Sequence, residues 1–366
     1  MTTATRLPRF PWDLLAPYAE KARAHNAGIV DLSVGTPVDP VPGIVRAALS
    51  AATDSPGYPA AHGLVGLREA AAAWLARSHG VRVDPGAVLP VIGTKEFIAA
   101  LPGLLGCGQG DVVVFPELAY PTYDIGARLA GARPVAADGL AQLGPEPARL
   151  VWVNSPSNPT GRVLPAAHLA KMVQWVRERG AVLASDECYL DLGWAVQPQS
   201  VLHPDVSGGS PDRLLAVHSL SKRSNMAGYR AGFVTGDPAL IAGLLEIRRH
   251  AGMLLPTPVQ AAMTAALGDE EHVRQQRARY AERRGKLSAA LTAAGWVISH
   301  SEAGLYLWAT RPGQDGWGSV QSLADLGILV APGEFYGPAG AQHIRVALTA
   351  TDERIDAAVA RLSALS

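Results

Sequence analysis

The chain has 366 residues, 48% of them hydrophobic and 17% charged, with a formal net charge of zero. Its length suggests two domains with apolar side chains for a sizeable core, and its balanced charge argues against capture by nucleic acid or an anionic membrane. Cys107 and Cys188 are too few for a disulfide framework, Met1 to Trp12 holds no apolar signal core, and no run of about 18 apolar residues occurs, so a reducing, cytoplasmic setting is expected.

In chain order, short β-rich runs occur at Val88–Val91, Asp111–Phe115, Arg133–Ala136, Leu150–Val153, Ala181–Ala184, Leu214–His218 and Gly232–Thr235. Helical spacing recurs between several of them, as in Ala167–Arg179. Strands alternating with helices predict an α/β fold with a mostly parallel, seven-stranded sheet covered on both faces. Loops at the carboxyl ends of such strands form the binding crevice. The texture changes at Pro256 and Pro258. A polar helix is predicted over about 270–293, with Asp269 as its cap and Gly295 as its stop. Short strands follow at Trp296–Ser299, Leu305–Ala309, Ile328–Val330 and His343–Ala347, and a last helix at Asp352–Leu365. Residues 39–255 are expected to form the large domain. Residues 1–38 and 256–366 are expected to form a smaller C-terminal α/β domain with the N-terminal segment beside it.

Five motifs sit at strand-to-loop junctions. Gly93-Thr94-Lys95-Glu96 opens a helix, and can be a simple N-cap or an anion site built from backbone amides and a hydroxyl. Tyr120, in the segment Pro116–Tyr123, can pack in the core or stack on a planar ring. Asn154-Ser155-Pro156-Ser157-Asn158-Pro159-Thr160-Gly161 suits a tight turn, or places Asn158 to donate to a ligand oxygen. Asp186, in Ser185-Asp186-Glu187-Cys188-Tyr189, ends a buried strand, where a carboxylate is costly unless partnered. A hydrogen bond to a neighbouring helix would serve, as would the protonated nitrogen of a pyridine ring. Tyr189 is either a packing residue or a donor beside that ring.

The fifth motif, Ser219-Leu220-Ser221-Lys222-Arg223-Ser224-Asn225-Met226-Ala227-Gly228-Tyr229-Arg230, carries one of only five lysines in the chain. A surface lysine in a polar loop is the plain reading. A lysine amine whose pKa is lowered by burial or a nearby cation is instead a nucleophile suited to a Schiff base with pyridoxal phosphate (PLP). Hydroxyls and Arg230 nearby suit the cofactor's phosphate. Together the five motifs supply what that one cofactor needs.

These motifs, in this order, resemble the class I and II aminotransferases of PLP fold type I over nearly the whole chain. The resemblance implies Lys222 as the Schiff-base lysine and Asp186 as partner of the pyridine nitrogen. It implies Asn158 and Tyr189 beside the phenolic oxygen, and Tyr120 on the ring. Thr94, Lys95 through its backbone, Ser219, Ser221 and Arg230 would surround the phosphate. His343-Ile344-Arg345-Val346-Ala347-Leu348 resembles the segment whose arginine, here Arg345, binds the substrate carboxylate; Gly35 and Asn158 would also meet the substrate. Gly57-Tyr58-Pro59 resembles the segment offering a tyrosine to the partner subunit's phosphate, which implies a homodimer; the family's usual tyrosine-glycine pair is Tyr58-Pro59 here.

A narrower resemblance lies in Leu7–Asp13 and Asp31–Pro40, which are similar to the actinobacterial N-succinyldiaminopimelate aminotransferases. It implies glutamate as donor and N-succinyl-2-amino-6-oxopimelate as acceptor. Both carry a distal carboxylate, so a second pocket cation is expected among Arg223, Arg248, Arg249 and Lys95. An aminotransferase of broader range, a PLP carbon–sulfur β-lyase and a PLP-sensing regulator remain alternatives; the last is disfavoured by neutral charge and no preceding DNA-binding segment. Gly106-Cys107-Gly108-Gln109-Gly110 precedes a strand and lacks GxGxxG spacing, which argues against a dinucleotide enzyme. The ten histidines form no HExxH, which argues against a zinc enzyme.

Overall fold

The computed structural model describes residues 7–139, 142 and 148–365; the first six residues of the N-terminal segment lie outside them. The strands are β1 (Val30–Asp31), β2 (Val88–Ile92), β3 (Val112–Phe115), β4 (Arg133–Ala136), β5 (Ala148–Asn154), β6 (Val182–Asp186), β7 (Leu214–Ser219), β8 (Ala231–Gly236), β9 (Val297–Ser299), β10 (Tyr306–Thr310), β11 (Ile328–Leu329), β12 (Ala331–Pro332) and β13 (His343–Ala347). Strands β2 to β8 form one seven-stranded sheet in the order β2-β8-β7-β6-β5-β3-β4. Only β8 runs antiparallel to its neighbours in this sheet.

Parallel strands covered on both faces read as continuous apolar runs. All of β6 and β7 is buried. Their side chains alternate between two cores, as a pleat requires. Val151, Val153, Leu183, Leu214 and Ala216 face one core, and Leu150, Trp152, Val182, Ala184, Leu215 and Val217 face the other. The helix Ala166–Arg179 buries Leu169, Val173 and Val176 against the first core and stops at Gly180, whose φ is +68°. Helices Thr94–Leu104 and Thr122–Ala130 cover the second core. Each large apolar side chain buried this way contributes roughly 1.5–3 kcal/mol.

The smaller domain holds the antiparallel sheet β12-β13-β10-β9 and the helices Glu271–Ala293 and Asp352–Leu362. Leu15, Ala19 and Ala22 of the N-terminal segment pack into the same core as Trp296, Trp308, Ile344 and Ile355. The run expected as one strand at Ile328–Val330 divides its pairing: β11 pairs with β1, and the next residues, β12, pair with β13. The prolines at 256 and 258 mark the start of a helix, Thr257–Gly268, because proline is tolerated in a first turn. That helix packs on Gly43–Ala51 and Val65–His79, against the large sheet's core. Among the described residues, no helix is long and apolar enough to cross a membrane, and no cluster of three or more His, Cys, Asp or Glu is arranged to hold a metal ion.

Candidate active site

The parallel strands present their carboxyl ends at one edge. The reversed β8 begins at that same edge, since Ile92 pairs with Ala231 and Ser219 with Gly232. This brings Thr94, Lys95, Tyr120, Asn158, Asp186, Tyr189, Ser219, Ser221, Lys222 and Arg230 around one cavity of about 510 Å³. Gly35 and Arg345 close it from the smaller-domain side. Among the residues the resemblance assigns to the cofactor or the substrate carboxylate, Tyr58 is the exception: it is 98% exposed and lines no part of the cavity.

Asp186 is buried at the end of β6. Its carboxylate accepts from Tyr123 Oη at 2.8 Å and from the Cys188 backbone N–H at 3.2 Å, both neutral donors. Burial outweighs these bonds and pushes its pKa up. A pyridinium N–H would supply the cationic partner that these donors do not. Asn154 shapes the adjoining turn. Its side-chain amide donates to the carbonyls of Pro156 at 3.0 Å and Asp186 at 2.9 Å, and its oxygen accepts the Asn158 N–H at 2.7 Å.

The phosphate-sized end of the cavity lies at the start of the helix Thr94–Leu104. First-turn amides there have no intrahelical acceptor and favour an anion. Arg230 approaches so closely that a Cβ at Gly93 would overlap its guanidinium; Gly93 also has φ +77°. Ser219 and Ser221 complete this end, with the Ser221 N–H donating to Ser219 Oγ at 3.1 Å. The donor set, a helix start with hydroxyls and one guanidinium, fits a phosphate monoester, and with Asp186 and Lys222 it fits PLP.

Burial holds the Lys222 amine below its ordinary pKa; Tyr306 and Cys188 oppose that shift, and the charges of Arg345 and Arg230 add to it. Its Nζ donates to the Gly35 carbonyl. A Cβ at Gly35 would overlap the Tyr306 hydroxyl, so glycine alone lets this segment lie against the ring. Tyr306 Oη is 3.2 Å from the Tyr189 hydroxyl. Burial raises the Tyr306 pKa, but the charges of Arg345 and Lys222 outweigh it and leave that hydroxyl below its ordinary value.

Arg345, on β13, is 3% exposed. It donates to Asn158 Oδ1 at 2.9 Å and to the Ser33 carbonyl at 2.7 Å. Its guanidinium carbon lies 3.9 Å from the Tyr306 ring centroid and 4.7 Å from that of Tyr336. Its Nε has no hydrogen-bond partner, and no carboxylate among the described residues pairs with it. A buried cation with a spare donor is arranged to receive a carboxylate.

Three of the four candidate cations for a distal carboxylate are engaged elsewhere. Arg223 is buried 2.9 Å from Asp191, Arg248 pairs with Glu96 at 3.3 Å, and the exposed Arg249 pairs with Glu246 at 3.2 Å. None of them lines the cavity, whereas Lys95 does, with Phe10 and Trp12 beside it. Sequence reasoning missed Tyr123, Asn154 and Tyr306. Tyr123 and Asn154 stood inside motifs already marked; Tyr306 lay in a plain β-run with no local signal.

The model of the family Aminotransferase class I and II matches residues 27–362. The chain is 61% identical to the 4-dedimethylamino-4-oxo-anhydrotetracycline transaminase of Streptomyces rimosus, over 98% of this chain and 99% of that one. It is 62% identical to a probable aminotransferase of Mycobacterium tuberculosis, over 98% of this chain and 85% of that one. A solved structure, the probable N-succinyldiaminopimelate aminotransferase from Thermus thermophilus, matches with a TM-score of 0.85 and 30% identity, over 98% of this chain and 100% of that one.

Proposed function

This chain belongs to the class I and II aminotransferases, and we propose that within that family it moves an amino group from L-glutamate to N-succinyl-2-amino-6-oxopimelate, a step of lysine and diaminopimelate biosynthesis. The family's cofactor is PLP. The observation that carries the reading is Arg345, a buried guanidinium with a spare N–H on the wall of the cavity that holds Lys222. A substrate carboxylate supplies the charge that this arginine lacks. The distal carboxylate goes to Lys95, the one candidate cation that lines the cavity. The likeness to the Thermus protein supports the choice of acceptor.

Bound in the cavity, PLP supplies an electron sink for the charge that develops when a proton leaves the substrate Cα. The protein residues take the remaining roles. Arg345 fixes the α-carboxylate, with Asn158 orienting the guanidinium. Lys222, whose amine burial holds below its ordinary pKa, would take the proton from Cα and return it two bonds along, at C4′. Asp186 would hold the proton on the pyridine nitrogen, and Tyr123 fixes the Asp186 carboxylate. Tyr189 would donate beside the phenolic oxygen, Tyr120 would cover the ring, and Thr94, the Lys95 N–H, Ser219, Ser221 and Arg230 would hold the phosphate.

A second reading rests on the 61% identity to the Streptomyces protein. In it the acceptor is the 4-oxo group of an anhydrotetracycline, and the apolar mouth formed by Phe10, Trp12 and the 45%-exposed Val34 takes the ring system. The test is to convert the protein to its aminated form with glutamate and then offer each acceptor. Rapid return of the PLP band with the succinylated oxo acid supports the first reading. Return only with the 4-oxo-anhydrotetracycline replaces it with the second.

A further inference from the structure

The turn after Lys222 is tied to the long helix of the smaller domain by two buried polar chains. Ser224 is fully buried, and its Oγ lies 2.8 Å from His272 Nε2. The other ring nitrogen of His272 lies 2.5 Å from Asp269 Oδ2. Asn225, the next residue, has φ +53°, a left-handed conformation uncommon outside glycine. Its side-chain amide donates to Gln276 Oε1 at 2.9 Å, and Gln276 donates in turn to Asp39 Oδ2 at 2.7 Å. His272 and Gln276 are one turn apart on the helix Glu271–Ala293, so they share a face. Neither they nor Ser224 line the cavity that holds Lys222.

The hydrogen bonds have a definite direction. The backbone N–H of His272 holds the Asp269 carboxyl below its ordinary pKa, so Asp269 is an acceptor and takes Nδ1–H. Burial keeps His272 itself below its ordinary pKa; Asp269 and Glu270 pull the other way, and Arg223, from the Lys222 turn, adds to the lowering. The imidazole is therefore neutral at neutral pH, and Nε2 accepts the Ser224 hydroxyl proton. A strained residue such as Asn225 persists only where its surroundings over-determine it. Here Gln276 and the Pro40 carbonyl, 3.3 Å from the same amide, do so.

We propose that His272, acting through Ser224, and Gln276, acting through Asn225, are positioning residues that fix the turn carrying Lys222 against the smaller domain. The inference rests on Lys222 being the amine that binds the cofactor. A proton moved by one amine between two carbons that flank a nitrogen requires that amine to be held closely, because small misplacements are costly. The polar chain gives the turn a fixed point two residues beyond the lysine.

The test uses the PLP-loaded protein with Ser224→Ala, His272→Ala and His272→Gln. Its readouts are the pH midpoint of the visible band, and kcat and KM for glutamate. Ser224→Ala and His272→Ala are expected to move the midpoint by about half a unit or more. They should lower kcat about tenfold or more, with KM changing less than about threefold because Arg345 is untouched. Glutamine can still accept from Ser224, so His272→Gln should recover most of the midpoint shift. An unchanged midpoint and kcat in Ser224→Ala and His272→Ala, with only the melting temperature lowered, overturns the proposal. Should His272→Ala fail to fold, Ser224→Ala decides by the same two readouts. A wild-type band that ignores glutamate defeats the functional reading, yet the midpoint in Ser224→Ala still decides this inference.

Discussion

Two basic side chains stand out at the residue scale: burial holds the Lys222 amine below its ordinary pKa, and the Arg345 guanidinium has no acid partner among the described residues. Lys222→Ala should abolish the glutamate half-reaction; near-normal turnover in that variant sinks the assignment. Arg345→Lys loses the fork geometry. It should raise KM for glutamate by about 10–100-fold, the scale of roughly 1.5–3 kcal/mol for a hydrogen bond to a charged group. An unchanged KM would remove Arg345 from the substrate site. Glu187, beside Asp186, gives a prediction on stability. It is buried, its Oε1 accepts from the Val201 N–H at 2.7 Å, and burial pushes its pKa up to about 7 from 4.5. Between those two values the folded state holds a proton that the unfolded state releases, so Glu187's contribution falls as pH rises through that window. Glu187→Gln has no such proton. Relative to wild type, the variant should gain up to about 3 kcal/mol between pH 4.5 and 7, which denaturant unfolding of the two proteins at both pH values will measure.

Strand ends and helix starts set the cavity at the scale of elements. Gly93 joins β2 to the helix Thr94–Leu104 with φ +77° and leaves room for Arg230. Gly93→Ala should cost more than about 1 kcal/mol. Since it also displaces Arg230, PLP affinity measured by equilibrium dialysis should fall; unchanged affinity would mean that Arg230 does not hold the phosphate. The strands of the large sheet were legible because each is a short apolar run bounded by turn residues, and the expected cores at Leu214–His218 and Arg133–Ala136 lie inside the observed β7 and β4. The motifs at their ends were legible for the same reason: in a parallel sheet, a polar residue ending a buried run points to the crevice. Tyr306 was not, since its place depends on β10 pairing with β13, a contact between segments far apart in sequence. The choice among Arg223, Arg248, Arg249 and Lys95 was not legible either. Each is a cation in a polar stretch, and only folding shows which ones find acids.

The whole molecule places the cavity between the carboxyl edge of the large sheet and the β10–β13 pair of the smaller domain. A substrate bound there would meet residues from both, and Arg345 to Asn158 is a direct hydrogen bond across the boundary. Tyr58 is 98% exposed in one chain, and we propose that it meets the phosphate site of a partner subunit. Sedimentation at twice the chain mass, with weaker PLP binding in Tyr58→Phe, is the expected outcome; a monomer with full PLP affinity would refute the shared site. We propose that this cavity runs a PLP transamination with Lys222 and Arg345 at its centre. The most direct test is the visible absorption spectrum of the purified protein before and after L-glutamate. The expected result is a PLP band that bleaches to the pyridoxamine form and returns with a 2-oxo acid. A band that does not respond to glutamate or to any other amino donor, or no band even after reconstitution with PLP, would contradict it.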